Sequence, residues 1–165
     1  MFGVFIGEHE NKIDSKFRLS IPADFRRELE QGDPKWEPGK NPSMAIVYGD
    51  ARRSYLEVFT INDIMNVLRK IAKLPRGSAM REALQTQYAT QAITATLDET
   101  GRIVLSAKVR DKLGLDGVAM LIGIGETFQI WKPETYTDAG STPLPVEDGF
   151  DPRRDPSIYL PVDEG

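Results

Sequence analysis

The sequence predicts an α+β fold in which one small β-hairpin module occurs twice, with a pair of helices between the two copies. Three observations indicate this fold. Residues 14–29 and 98–113 align without a gap, the strand-like runs that follow them recur in the same order, and a helical pattern separates the copies. Because two half-size units are too small to be stable alone, we expect them to share one core.

The two copies match at polar and apolar positions alike. The identical pairs are Asp14/Asp98, Arg18/Arg102, Ala23/Ala107, Arg26/Arg110 and Leu29/Leu113. Apolar character is kept where the residues differ, as at Leu19 and Ile103. Downstream, AIVYG at 45–49 parallels AMLIG at 119–123, and LEVFT at 56–60 parallels FQIWK at 128–132. We therefore interpret the chain as an internal duplication.

Each copy is predicted to form a hairpin followed by a short helix. A β-rich run reaches Asp, turns through DSKF (14–17) or DETG (98–101), and resumes at Arg with alternating apolar residues. Pro22 suits the first turn of the first helix, and Ser106 can cap the second. Gly114 occupies the position of a C-terminal left-handed residue.

Between the copies, the pattern changes from strand to helix. Thr60 with Asp63 resembles a capping box, and apolar residues at helical spacing run from Ile61 to Ile71. This stripe fits the core and a contact between subunits equally well. A second helix is expected from Ser78, as its N-cap, through Tyr88.

The predicted organisation has four parts. These are a first module at 1–60, a helical connector at 61–90, a second module at 91–138 and a tail at 139–165. The tail is rich in proline and acidic residues and has no period, so we expect it to be flexible, either extended or disordered. Its two basic and six acidic residues account for the whole net charge of −4, which leaves residues 1–138 neutral.

Composition excludes several classes of protein. The chain has no Cys, which suits a reducing cytoplasm and rules out thiol chemistry. It lacks a signal-peptide pattern and a run of about 20 apolar residues, so we expect neither export nor a membrane span. His9 is the only histidine, and no G-x-S-x-G or phosphate-loop motif occurs. We therefore predict no catalytic residues, no metal site, no cofactor and no small-molecule substrate.

The repeated Asp-x-x-x-Arg pattern marks the candidate site. An Asp carboxylate can accept hydrogen bonds from the N–H groups of the turn, while the Arg either pairs with it or projects from the returning strand. A salt bridge that only stabilises the turn is the plain alternative. Two copies in register, with Lys16 added at the first tip, point more strongly to a binding surface.

The chain resembles the MraZ family, which belongs to the AbrB-like swapped-hairpin superfamily. The resemblance lies in MFGVF, DSKFRLSIPADFR, DETGRIVL and the strand that contains Trp131, and it covers about residues 1–137. It implies a transcriptional regulator with tandem swapped-hairpin modules that form a small pseudo-symmetric barrel. It also implies ring-shaped homo-oligomers that bind double-stranded DNA at short direct repeats upstream of the division and cell-wall gene cluster. The implied location is the cytoplasm, at the nucleoid.

The resemblance also implies roles for individual residues. Lys16, Arg18 and Arg102 are expected to contact DNA, and Asp14 and Asp98 to structure the turns. Arg26 and Arg110 lie on the short helices, and we interpret them as solvated charges outside the site.

One residue departs from the family pattern. The family usually has Gly before the first Arg, as at Gly101, whereas this chain has Phe17. Because Phe disfavours positive φ, we expect an altered first turn or a Phe17 ring packed on a neighbour. The rival to DNA binding is a structural or protein-interaction ring that keeps Lys16 and Arg18 in salt bridges. A hydrolase is disfavoured because no nucleophile and base can be nominated.

Overall fold

The computed structural model describes residues 4–162, so residues 1–3 of the MFGVF motif and 163–165 of the tail lie outside it. The α+β prediction is confirmed. In the described residues there are five α-helices: α1 (Ala23–Gln31), α2 (Ile61–Ile71), α3 (Ala79–Gln85), α4 (Ala107–Leu113) and α5 (Pro133–Gly140). The strands are β1 (Glu8–Lys12), β2 (Arg18–Ser20), β3 (Ser43–Val47), β4 (Tyr55–Thr60), β5 (Ala92–Thr96), β6 (Arg102–Val104), β7 (Val118–Gly123) and β8 (Phe128–Trp131).

The strands of the two copies are interleaved in one antiparallel sheet. Its order is β1-β7-β8-β4-β3-β5, and β2 pairs with β6 in a separate two-stranded ribbon. In the repeat, β1 of the first copy corresponds to β5 of the second, β3 to β7, and β4 to β8. When each strand is replaced by its counterpart, the sheet has the same strand order read from its opposite edge. The first strand of each copy therefore pairs with a strand of the other copy: β1 with β7, and β5 with β3.

Both copies contribute to one hydrophobic core, which confirms the expected sharing. Phe25 and Leu29 of α1 lie in the same cluster as Val109 of α4, and all three are almost fully buried. At one end of this core the rings of Phe5, Phe25 and Phe128 contact one another, with centroids 4.8 to 5.2 Å apart. Because this main cluster draws on both halves, the two modules share it.

The ends of α1 and α4 follow the sequence signals in part. Pro22 is the N-cap residue of α1, and Gly114 ends α4 at φ 65° and ψ 39°, which confirms its left-handed position. Ser106 is the N-cap residue of α4, but its side chain makes no capping hydrogen bond. Ser106 therefore occupies the predicted N-cap position without making the predicted hydrogen bond.

The helical pair between the copies is confirmed, although the second α-helix ends at Gln85 and a π-helical turn over Thr86–Thr90 replaces its predicted last turn. The Thr60 hydroxyl accepts a hydrogen bond from the N–H of Asp63 at 3.1 Å, and that of Ser78 accepts one from Arg81 at 3.2 Å. Ile64 of α2 packs in a second cluster with Ala45, Val47 and Phe59 of the sheet. None of the helices within residues 4–162 is long and apolar enough to cross a membrane.

The sequence pattern did not predict α5. Pro133 stands in its first turn, and the Tyr136 hydroxyl donates to the Glu8 carboxylate at 2.5 Å while its ring lies 5.5 Å from that of Trp131. Beyond α5, a 3-10 helix spans Pro156–Tyr159, and the ring centroids of Tyr159 and Phe150 lie 5.3 Å apart. The expectation of a wholly extended or disordered tail from residue 139 onward is thus wrong at Pro156–Tyr159, where a short helix is accompanied by an isolated aromatic contact rather than a periodic pattern.

Candidate nucleic-acid interface

The two turns meet at the ribbon formed by β2 and β6. In this ribbon Leu19 lies opposite Ile103, and both are buried. Because side chains alternate along a strand, the neighbouring positions face outward. We call the two turns (14–17 and 98–101), together with this outward face, the hairpin surface; its face residues are Arg18, Ser20, Arg102 and Val104.

The two turns have the same hydrogen-bond pattern. In the first, one Asp14 carboxylate oxygen accepts from the N–H of Lys16 at 3.0 Å and of Arg18 at 2.9 Å. In the second, one Asp98 oxygen accepts from Thr100 at 2.9 Å and from Arg102 at 3.0 Å. These bonds are typical of Asp at the start of a tight turn.

The arginines of the two copies share one acidic partner, Asp14. Arg18 Nε lies 2.7 Å from Asp14 Oδ2, and Arg102 Nη1 reaches the same oxygen at 3.4 Å. Arg102 also lies 3.4 Å from Asp98 and donates to the Thr100 hydroxyl at 2.7 Å. The structure therefore brings Arg18 and Arg102 together, each with about 30% of its side chain exposed. Lys16 is exposed at the first tip, with no ion pair in the described part of the chain.

Hydrogen bonds lower the pKa of both turn carboxylates. The hydrogen bond from the Arg18 N–H is the largest cause that lowers the pKa of Asp14. For Asp98, the N–H of Arg102 and then the hydroxyl of Thr100 lower the pKa to about 2. Both groups are therefore ionised at neutral pH, and they offset part of the charge of the two arginines.

The turns are expected to lose stability between about pH 4 and pH 2. Because the folded pKa of Asp98 lies below its ordinary value of 3.8, its ionised form stabilises the fold fully above that value. This contribution disappears as the pH falls towards about 2. Urea unfolding at pH 5 and pH 3 measures the loss, and Asp98→Asn is the control, since it should have a smaller difference between the two pH values. An equal difference in both proteins would contradict the assignment.

Phe17 occupies the conformation that its counterpart Gly101 occupies, so the expectation of an altered turn is wrong. Its φ is 60°, against 79° at Gly101, and both N–H groups donate to the Asp that opens the turn. The other expected outcome is observed: the guanidinium carbon of Arg110 lies 3.6 Å from the centroid of the Phe17 ring. In the other copy, a Cβ atom on Gly101 would collide with the side chain of Arg26.

The prediction that Arg26 and Arg110 are solvated charges is therefore wrong, because both are half-buried, while their exclusion from the DNA-binding site stays a prediction. Each packs on the turn of the opposite copy, Arg26 on the second and Arg110 on the first. Their identity within the repeat was the available signal, but helical spacing alone does not reveal a contact between copies.

The comparison with known proteins decides the family. The transcriptional regulator MraZ of Ruegeria sp. (strain TM1040) is 52% identical over 153 residues, which are 90% of this chain and 92% of that protein. The chain belongs to the MraZ family. The MraZ of Ruegeria pomeroyi is 53% identical over 132 residues, covering 80% of this chain and 79% of the relative. That of Rickettsia rickettsii is 29% identical over 134 residues, covering 81% and 84%.

A match to the family itself covers one part of the chain. Residues 89–143 match the family described as "MraZ protein, putative antitoxin-like". This stretch contains β5, the second turn, α4 and the strands β7 and β8. The MraZ resemblance noted in the sequence is thus confirmed by the relatives over most of the chain and by the family match over the second copy.

Proposed function

We propose that this MraZ-family protein is a DNA-binding transcriptional regulator that contacts double-stranded DNA through its hairpin surface. The observation that carries the proposal is the presence of Arg18, Arg102 and Lys16 together on the hairpin surface, in a protein whose relatives are named transcriptional regulators. In this role it acts as a binding protein and not as an enzyme, and it needs no cofactor.

A two-stranded ribbon that carries arginines is suited to the major groove. A groove about 12 Å wide admits a two-stranded β-ribbon, and Arg can form two hydrogen bonds with guanine O6 and N7. We assign Arg18 and Arg102 to base or phosphate contacts and Lys16 to a phosphate. Asp14 and Asp98 hold the turns in shape, because bare carboxylates would repel phosphates. On binding, Arg18 would exchange its bond with Asp14 for one with DNA.

The interleaved strands support a swapped-hairpin organisation. Because β1 and β5 each pair with the other copy, we propose that the modules at 1–60 and 91–138 together form the pseudo-symmetric barrel of the AbrB-like superfamily. The connector at 61–90 carries the helical pair, and the tail at 139–165 is a flexible extension.

A ring of identical subunits would make a weak single hairpin surface effective. Residues 1–138 are electrically neutral, so one subunit offers DNA only a local group of basic side chains and no net positive charge. Several surfaces on one ring that meet several short direct repeats raise the overall affinity without new contacts. We therefore propose a homo-oligomeric ring that acts at the nucleoid, on repeats upstream of the division and cell-wall gene cluster.

A DNA titration tests this function. Fluorescence anisotropy would follow binding of the wild-type protein to its own promoter fragment and to a scrambled duplex, at about 50 and 200 mM salt. We expect tighter binding to the promoter and weaker binding at the higher salt concentration. Equal or absent binding to both duplexes, with a ring still present on size-exclusion chromatography, would favour the structural ring instead.

A further inference from the structure

We propose that the Phe17 ring contacts thymine methyl groups in the major groove, and that Arg110 holds the ring in position for this contact. The inference rests on the proposed function and adds an element of sequence preference to it. The preference belongs to the first turn alone, since the second turn has Thr100 and Gly101 at its tip and offers no ring.

The backbone at Phe17 is the first observation. In residues 4–162, Phe17 and Asp50 are the two residues other than glycine with positive φ. A bulky side chain is unfavourable in this conformation, and the matching position in the second turn is filled by Gly101. Strained residues of this kind persist where the surroundings enforce them, and they are concentrated at binding sites.

The contact with Arg110 is the second observation. The guanidinium carbon lies 3.6 Å from the ring centroid, in the geometry of a cation–π interaction. Arg110 is on α4 next to Val109, which is fully buried in the core. The helix is therefore anchored, and it fixes the direction of the ring before any ligand arrives. A ring held in this way loses little conformational entropy on binding.

The exposure of the ring is the third observation. Arg110 contacts one side of Phe17, yet 43% of the residue stays accessible, at the tip that also carries Lys16. An apolar group at this place needs an apolar partner on the DNA. In the major groove that partner is the C5-methyl group of thymine, which phenylalanine is known to contact. Insertion between bases is a device of minor-groove proteins, and the β2–β6 ribbon fits the major groove better.

DNA without thymine methyl groups tests the proposal. The promoter fragment and a scrambled duplex are each amplified with dTTP or with dUTP, because deoxyuridine keeps base pairing and lacks only the methyl group. Anisotropy titrations compare the wild type with Phe17→Gly, which suits positive φ, and with Phe17→Asn, a second variant that tolerates it. We expect uracil to weaken wild-type binding to the promoter by about fourfold or more, the value for one buried methyl group. Both variants should bind the two forms equally.

The role of Arg110 as a positioning residue is tested with the ratio of the affinities for thymine-containing and uracil-containing promoter DNA. Arg110→Ala should reduce the preference for thymine over uracil, and Arg110→Lys, which keeps a cation near the ring, should restore part of it. Circular dichroism and size-exclusion chromatography would establish that each variant is folded and assembled.

Two failures can be told apart. If the wild type prefers the promoter over the scrambled duplex but uracil weakens wild type and Phe17→Gly equally, the methyl contact is wrong and the proposed function stands. If the wild type shows no preference for the promoter, the proposed function fails and the methyl contact fails with it.

Discussion

Arg18→Ala is expected to weaken binding to the promoter by roughly 5- to 150-fold, which corresponds to about 1–3 kcal/mol for the loss of one base-reading arginine. If the protein forms the proposed ring, the loss recurs in every subunit that touches DNA, and the total loss of promoter affinity should then exceed this value for a single site. The fold should survive, because the Asp14 carboxylate keeps its hydrogen bonds from the N–H groups of Lys16 and residue 18. Anisotropy titration on promoter and scrambled DNA measures the effect.

Two further arginine variants make this result specific. Arg102→Ala should cost less affinity than Arg18→Ala, because Arg102 is tied to Asp14, Asp98 and Thr100 at a tip that carries no lysine. The matched control is Arg69→Ala on α2, which removes the same charge from a helix that packs on β3 and β4. It should leave binding nearly unchanged. Equal losses for Arg18→Ala and Arg69→Ala would mean that only net charge matters, and promoter affinity preserved in Arg18→Ala would refute its role.

The features that the sequence predicted well depend on nearby residues. The Asp-x-x-x-Arg turns, the capping bond from Asp63 to Thr60 and the left-handed Gly114 each involve residues only a few positions apart. Internal repetition added longer-range information, because aligned apolar positions such as Phe25 and Val109 indicated a shared core. Local hydrogen bonds and periodic burial leave a readable pattern in the chain.

The features that the sequence did not predict are contacts between residues far apart in the chain. Arg110 packs on Phe17, and Arg26 on Gly101, across copies whose spatial relation no local spacing encodes. A distant contact also accompanies α5, since the Tyr136 hydroxyl donates a hydrogen bond to Glu8 near the other end of the chain. Phe17 was difficult for another reason: its own preference disfavours positive φ, and the tertiary contact with Arg110 accompanies the conformation that is observed.

Phe25→Ala is expected to lower the free energy of unfolding by about 3–5 kcal/mol, the usual cost of removing a buried aromatic ring. Phe25 is 1% exposed, and its ring contacts those of Phe5, Phe128 and His9 at 4.8 to 5.2 Å. The neighbouring rings cannot easily move into the cavity that the substitution creates. The backbone of Phe5 is fixed by its bridge to Gly125, and that of Phe128 by sheet pairing with Gly123. The cavity should therefore remain largely open.

Urea unfolding followed by tryptophan fluorescence measures this loss and also tests the shared core, in a Trp36→Phe background that leaves Trp131 as the one tryptophan of the sequence. Trp131 lies on β8, in the half of the chain opposite to Phe25, and its ring is 4.9 Å from that of Tyr55. If both copies depend on one core, Phe25→Ala should lower the midpoint for Trp131 in a single transition. The matched control is Phe150→Ala in the tail, where the ring contacts Tyr159 and the expected change is within about 0.5 kcal/mol. A first transition that leaves Trp131 unaffected would mean that the modules unfold separately, and the interleaved sheet would then not be cooperative.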